Sequence, residues 1–338
     1  WWMIRCLSAL GTASRHIATR CTTANNCDRP MQVAYELIAA IFPIFAAILV
    51  GAALKRYLIT GADIWAGIDR LTYYLLLPSL LIVEIYRADF SRGNAGTAVT
   101  VTLFATLGLS AVLLLLRPVI TRNTPLFTSI FQGSVRYNSY VLLAVADAFY
   151  GSAGLALAIV FIAVMVIATN MLGVVVLSAF SGGKSNLKRI LGGIIKNPII
   201  LAAGAGAVLN ISDIHVPVPI ENTAALFKTA ALPLSLLSVG AGLRFVLDKQ
   251  ALGAIALATT IKLAVLPVIT GVCLYLAGID GMVLAMGVLY AGMPCAGNAY
   301  ILARQLNGDP DAMASIITLE TLLSAFSVAV IAGVLSIN

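Results

Sequence analysis

Three stretches of this chain run without a charged side chain for longer than a bilayer is thick: Gly93–Leu116, Ala148–Gly183 and Gly281–Ala303. About 20 apolar helical residues cross a hydrocarbon core, since each advances the chain by ~1.5 Å. The whole sequence shares the bias. Of 338 residues, 60% are hydrophobic and 10% charged, with mean hydropathy +1.00. A soluble domain carries about 25% charged residues, so too little polar surface exists here to coat a water-soluble globule. Alternation of period two is weak, which argues against a β-barrel. The expected class is an all-α polytopic membrane protein. The net charge of +7 then reads as loop lysines and arginines facing a lipid leaflet, with no nucleic-acid partner.

Apolar blocks between charges and turn signals give ten spans, near 34–54, 66–86, 95–116, 126–149, 154–179, 191–210, 222–243, 251–277, 281–303 and 312–335. Their contents repeat. Pro43 and Pro78 return as Pro198 and Pro233, each 155 positions later. Leu77-Pro78-Ser79-Leu80-Leu81 is matched by Leu232-Pro233-Leu234-Ser235-Leu236. Asn138-Ser139-Tyr140-Val141-Leu142 returns 160 positions later as Asn298-Ala299-Tyr300-Ile301-Leu302. A duplicated unit in an apolar chain is the mark of a secondary transporter built from repeats.

Charge sets the orientation. Loops after odd-numbered spans hold eleven lysines and arginines, from Lys55 and Arg56 to Lys249 and Arg304; loops after even-numbered spans hold Arg87 and Arg92. The positive-inside bias places the odd loops in the cytoplasm and both termini outside it. Five spans per unit is an odd number, so the second unit enters the membrane upside down. The expected organisation is a first five-helix repeat over 31–180, a cytoplasmic Gly, Ser and Lys-rich linker over 181–196, and an inverted second repeat over 197–338. Residues 1–30 read as a non-native or disordered extension ahead of Met31, with a targeting or structural tail as the alternative. Their arginines fall on the wrong side of the membrane for the charge rule.

Few residues could carry chemistry. The fourth span holds Gly133, whose lack of a side chain would permit a break, and Ser139, and it places Arg136 and Asn138 about a dozen residues deep. A charge there costs at least a few kcal/mol and normally faces protein or a water-filled cavity. A guanidinium fork matches a carboxylate, so Arg136 is a candidate anion ligand; a structural arginine paired with carboxylate or carbonyl oxygens is the other reading. The ninth span holds Gly292, Pro294, Gly297, Asn298 and Tyr300. Proline and flanking glycines there loosen the helix and expose half-helix ends that attract anions. Glu320 in the tenth span, Lys262 in the eighth and Asp147 in the fourth are candidate proton carriers or charge partners. Asp147 and Glu84 read better as solvated end residues. Lys262 points into the protein, toward either substrate or Glu320. His16 and His215 are the chain's histidines and no Cys-x-x-Cys spacing occurs, so neither a metal site nor a cofactor is expected.

In order and spacing these motifs resemble the auxin efflux carrier family, whose bacterial members include malonate and malate permeases. The resemblance spans 31–338. It rests on Leu77-Pro78-Ser79-Leu80-Leu81, Arg136-Tyr137-Asn138, Lys188-Arg189 leading to Asn197-Pro198, and Leu232-Pro233-Leu234-Ser235-Leu236 with Gly240 and Gly242. Lys262-Leu263 with Leu266-Pro267, Met293-Pro294 and Thr321-Leu322-Leu323-Ser324 complete it. It implies ten helices in two inverted repeats, related to the bile-acid–sodium symporters. It also implies a scaffold of spans 1, 2, 6 and 7, often a homodimer, and a moving domain of spans 3–5 and 8–10. Broken helices 4 and 9 would cross at the substrate. The chain departs at the first crossing: plant members have a proline beside the asparagine, where this chain has Tyr137 and Ser139. The long cytoplasmic loop of plant members is absent.

The expected function is secondary active or facilitated transport of a small organic anion, a mono- or dicarboxylate such as malonate, malate or an auxin-like acid, by elevator-type alternating access. Bacterial inner membrane is the expected location. The alternative is a sodium-coupled carrier of larger, sterol-like anions on the same fold. An intramembrane enzyme is disfavoured by the absence of Gly-x-Gly-Asp and His-Glu-x-x-His, and no nucleotide-binding loop is visible.

Overall fold

Helix is the regular structure throughout the computed structural model, which describes residues 28–87, 94–180, 198–212, 215–244 and 251–336. The expected linker over 181–196 and nearly all of the expected extension lie outside the described residues. So do Arg92 and Lys249, used in the charge count. In chain order the helices are α1 (Asp28–Ala53), α2 (Ala62–Leu71), α3 (Leu77–Arg87), α4 (Ala95–Ile120), α5 (Thr124–Val135), α6 (Ser139–Phe180), α7 (Pro198–Ile211) and α8 (Val218–Ala241). There follow α9 (Leu252–Thr260), α10 (Leu266–Leu276), α11 (Gly281–Gly292), α12 (Asn298–Gln305) and α13 (Pro310–Ser336).

Among the described residues, seven helical stretches are long and apolar enough to cross a membrane. The protein is an integral membrane protein by this measure and by composition. One stretch, Thr124–Phe180, is 57 residues long. At ~1.5 Å per residue a straight helix of that length would be nearly three hydrocarbon cores long. Two interruptions divide it. Residues 136–138 are non-helical, and Gly151 takes φ 58°, ψ −149° inside α6. That backbone conformation is open to glycine and closed to residues with a Cβ. The flip falls between the expected fourth and fifth spans.

Proline shapes two other spans in one way. Pro78 and Pro267 are each the second residue of a helix, α3 and α10. Each lacks the N–H that the carbonyl four residues earlier would accept, and each ring crowds that carbonyl. In both places the chain widens into a five-residue π-helix that ends two residues before the proline, Thr72–Leu76 and Ile261–Val265. Single π turns inside α-helices absorb such a defect. They join α2 to α3 and α9 to α10 into continuous spans.

The helices pack as two groups. Helix α1 lies on α8, α3 lies on both α7 and α8, and these form one group. Helices α4, α5 and α6 pack with α9 to α13 in the other, where α10 lies on α11 and α4, and α13 on α9 and α11. Contacts of α6 with α1 and α8, and of α13 with α1, join the groups. Lipid supplies no hydrophobic force between helices, so close backbone approach through small residues carries the packing. In α1 and α8 the approach is at its limit. A Cβ on Gly51 would collide with the Leu237 carbonyl oxygen, and one on Gly240 with that of Ile48. The same arrangement recurs with the partners exchanged: a Cβ on Gly206 would lie 3.1 Å from the Ile82 carbonyl oxygen and 3.0 Å from Ile85 Cβ. Gly206 is 155 positions after Gly51, and Ile82 is 155 before Leu237.

Polar ties fix the ends of this group. The Ser238 hydroxyl donates to Asp69, joining α8 to α2. Arg87 Nη2 meets Glu221 Oε1 at 2.5 Å on the exposed side. Glu84, expected to be a solvated end residue, is 4% exposed and paired with Lys228. The sequence reading failed there because Lys228 lies 144 residues away on a different helix, and burial of the carboxylate follows from its presence.

Gly51→Val and Gly240→Val are expected to lower the thermal unfolding temperature of detergent-solubilised protein, by an amount equivalent to about 1–3 kcal/mol of overpacking or more. Gly204→Ala, where an added Cβ meets no atom within 4 Å, should leave it unchanged.

Candidate functional site

Two helices stop inside the helical group of α4–α6 and α9–α13, and their loose ends meet. Helix α5 ends at Val135, and Arg136 turns extended with φ −75°, ψ 156°. Helix α11 ends at Gly292, and Met293 turns extended with φ −70°, ψ 141°, as a residue before proline prefers. The backbone N–H of Asn138 donates to the Pro294 carbonyl at 2.7 Å, which joins the two breaks. The missing fourth-span proline therefore does not prevent an interruption. Asn138 supplies the reason: its Oδ1 accepts from Tyr140 N at 3.0 Å and Val141 N at 3.3 Å, capping α6. A side-chain cap satisfies N–H groups that an interior residue would leave to the preceding turn.

The second break is held from outside. Cys295 N donates to Glu320 Oε2 of α13 at 2.8 Å, and Cys295 Sγ reaches the Gln132 carbonyl of α5 at 3.6 Å. Unwound backbone at membrane depth is tolerated where protein replaces its lost partners, and these contacts do so.

Arg136 occupies the crossing. The residue is 5% exposed. Nη2 donates to Asn170 Oδ1 and to Asn298 Oδ1, each at 2.7 Å, and Nη1 donates to Gln132 Oε1 at 3.3 Å. All three acceptors are neutral amides. The ion pairs Arg87–Glu221 and Glu84–Lys228 lie elsewhere, and among the described residues no carboxylate pairs with Arg136. A buried guanidinium is thus positioned by amide oxygens while its charge stays uncompensated in a medium where charge is costly. One of those amides begins α12 beyond the second break, so the guanidinium ties both interruptions together.

Behind the crossing lies a second charged set. Lys262, within the π segment Ile261–Val265, and Glu320 are both fully buried. Among the described residues, Lys262 Nζ, Glu320 Oε1 and Gln132 Nε2 have no hydrogen-bond partner. The ammonium stands 5.7 Å from the centroid of the Tyr290 ring, which also packs against Tyr137 and Phe161 with centroids 4.4 and 6.2 Å away.

The structure brings Arg136, Asn138, Pro294 and Asn298 to one place, with Glu320 bound to the adjoining backbone. Asn298 is exposed while Arg136 and Asn138 are buried, so the crossing opens at the start of α12. Ser139, the first residue of α6, is half-buried, and Tyr300 is half-buried beneath the Arg244 guanidinium, 4.1 Å from the ring centroid. Gly133 sits inside α5 and not at the break: a Cβ there would meet Ile316 Cγ2 at 2.6 Å and Glu320 Oε1 at 3.4 Å, so its role is close packing of α13. Gly292 is packed likewise against Ile331, whereas Gly297 has open space around it. Asp147 is exposed, about 14 Å along α6 from Asn138 at ~1.5 Å per residue, and is not part of the crossing. Sequence reading missed Asn170 and Gln132. A lone amide inside an uncharged apolar span was the available signal for Asn170, and i, i+4 spacing to Arg136 for Gln132.

Residues 184–332 match the model of the family described as "Membrane transport protein". Over 292 residues the chain is 26% identical to an "Uncharacterized transporter" of Methanothermobacter thermautotrophicus, covering 85% of this chain and 94% of that protein. Over 317 residues it is 26% identical to a "Putative malonate transporter" of Rhizobium meliloti, covering 87% of this chain and 94% of that one.

Asn138→Ala should cost about 0.5–2 kcal/mol through loss of the α6 cap, and Asn138→Ser should restore most of it. Hydrogen exchange at the Tyr140 and Val141 amides measures the effect directly: it should accelerate in the alanine variant and stay slow in the serine variant.

Proposed function

We propose that this chain, whose residues 184–332 match the membrane transport protein family, is a carrier of the auxin efflux type that moves a small organic anion across the membrane with Arg136 as the anion's anchor. One observation carries the reading: a buried guanidinium at the junction of two broken helices whose acceptors are all neutral amides. Amide oxygens are modest acceptors. A carboxylate offers two charged ones and makes hydrogen bonds roughly twice as strong. An anion entering from the exposed Asn298 side would displace Asn298 and Asn170 from Nη2 and compensate the charge. The displaced amides then become donors to the substrate's remaining oxygens. The name of the Rhizobium meliloti relative favours a dicarboxylate such as malonate.

Release on the other side requires the crossing to change its exposure. The reading adopted is elevator-type alternating access by two inverted five-helix repeats. The group of α4–α6 and α9–α13 carries the crossing past the group of α1–α3, α7 and α8. Exchange of the Gly51–Leu237 contact for Gly206–Ile82 supports two units of opposite sense, as does the return of an asparagine at each break. The tight glycine crossings support a stiff frame, which suits a homodimer through those helices.

Arg136→Ala should reduce malonate binding about 10–100-fold, the loss of roughly 1.5–3 kcal/mol for a charge-assisted bond. Arg136→Lys should restore part of it, since an ammonium lacks the bidentate fork. The measurement is titration calorimetry on purified protein, with thermal unfolding as the check on folding. Unchanged affinity in a well-folded Arg136→Ala protein would remove Arg136 from the site.

A further inference from the structure

We propose that Glu320 and Lys262 form a proton site joined to the anion site, so that one proton enters with each dicarboxylate dianion. The proposal rests on the anion reading of Arg136 and adds to it the coupling ion and the charge of the substrate.

The geometry begins with two charged side chains, both fully buried, each with an unpartnered polar atom. Among the described residues Lys262 Nζ makes no hydrogen bond, and Glu320 uses Oε2 alone, on Cys295 N. Structural ion pairs in lipid-buried protein close on each other and satisfy their remaining atoms, because each ion costs several kcal/mol to bury. The Glu84–Lys228 pair in this chain does close. Lys262 and Glu320 leave Nζ and Oε1 free instead. Oε1 lies over the last turn of α5, 3.4 Å from where a Cβ on Gly133 would stand. Three residues on is Arg136.

The connection to the anion site runs through bonded groups. Glu320 Oε2 holds Cys295 N; Cys295 Sγ holds the Gln132 carbonyl; the Gln132 side chain holds Arg136. The groups that act on Glu320 are Lys262 in the π segment and Cys295 in the break; Tyr290 on α11 faces Lys262, and Arg136 at the end of α5 is reached through Gln132. Tyr300 and Arg304 on α12 stand at the rim, where Arg304 is exposed. The described side chains of α1 over 41–53 and all of α9 contribute no ionisable group.

Charge balance then favours a particular load. With Arg136 and Lys262 protonated and Glu320 ionised, the empty site carries one net positive charge. A dicarboxylate dianion brings two negative charges. One proton on Glu320 Oε1 returns the loaded site to neutrality, the state a low-dielectric interior favours for a moving body. The proton is taken up on the entry side with the anion and leaves Oε1 on the exit side as the anion departs. Linkage makes the effect reciprocal: a bound dianion strengthens proton binding at Glu320 by the factor by which the proton strengthens dianion binding.

The test is infrared difference spectroscopy between acid and alkaline pH on the full chain in nanodiscs, with and without malonate. Wild type should show the carbonyl band of a buried protonated carboxyl, absent in Glu320→Gln. Malonate should move its titration midpoint upward by about one pH unit, which corresponds to a tenfold change in malonate affinity. Arg136→Ala should keep the band and lose the malonate shift. Lys262→Met should move the midpoint upward without malonate, since a neighbouring cation has been removed. If that variant fails to fold, the neutral double variant Lys262→Met/Glu320→Gln should fold and show neither band nor pH-dependent malonate binding. A Glu320 band that does not titrate overturns the proton site. A titrating band that malonate leaves in place, in protein that binds malonate by calorimetry, overturns the coupling. Absence of malonate binding to wild type would overturn the anion reading and the linkage with it, while the titration still decides whether Glu320 takes a proton.

Discussion

The guanidinium of Arg136 is the constraint on which both interrupted helices depend. A break in a membrane helix strands backbone N–H and C=O groups, and lipid offers them nothing. Here each break answers the other. Asn138 N takes the Pro294 carbonyl, Cys295 Sγ takes that of Gln132, and the guanidinium reaches from the first break to Asn298 beyond the second. Removing the charge would leave three amide oxygens to find other donors. Pairing it with a protein carboxylate would settle the geometry but use the cation. Neutral acceptors do the first task and leave the charge available.

Rigidity elsewhere gives that arrangement something to act against. Helices α1 and α8 touch backbone to backbone at Gly51 and Gly240, and α3 and α7 approach similarly at Gly206. Side chains cannot intervene at these crossings, so the helices can neither slide nor separate without losing contact over several turns. The other group joins this frame through α6 and α13. Those are the helices that carry Asn170 and Glu320, so contacts with the crossing and contacts with the frame share the same two elements.

Much of the helical outline was legible because lipid imposes one simple demand, length without charge, and the prolines punctuate it. The offset of 155 pointed to the paired prolines, and the same offset relates Gly51 to Gly206, which become contacts of the same kind. The break after Val135 was not secured by composition, since Tyr137 replaces the expected proline; the cap on Asn138 and its bond to Pro294 decide it, and that bond joins residues 156 apart. Glu84 was misread for a similar reason: its partner Lys228 is distant in sequence, and a carboxylate at a span end looks solvated until the partner is known. Arg136 could be recognised as costly but not as unpaired, because Asn170, Gln132 and Asn298 come from three separate segments. Gly133, two residues before α5 ends, is a packing residue for Ile316.

The most direct measurement of the central claim is the distance between a bound anion and the Arg136 guanidinium. Solid-state NMR on protein with 15N-labelled arginine side chains and 13C-carboxylate malonate reads it as dipolar dephasing. The account predicts close 13C–15N contact in wild type that disappears in Arg136→Lys labelled in the same way, because lysine then carries no label at that site. Contact that persists unchanged in Arg136→Lys would place the carboxylate on another arginine and contradict the account.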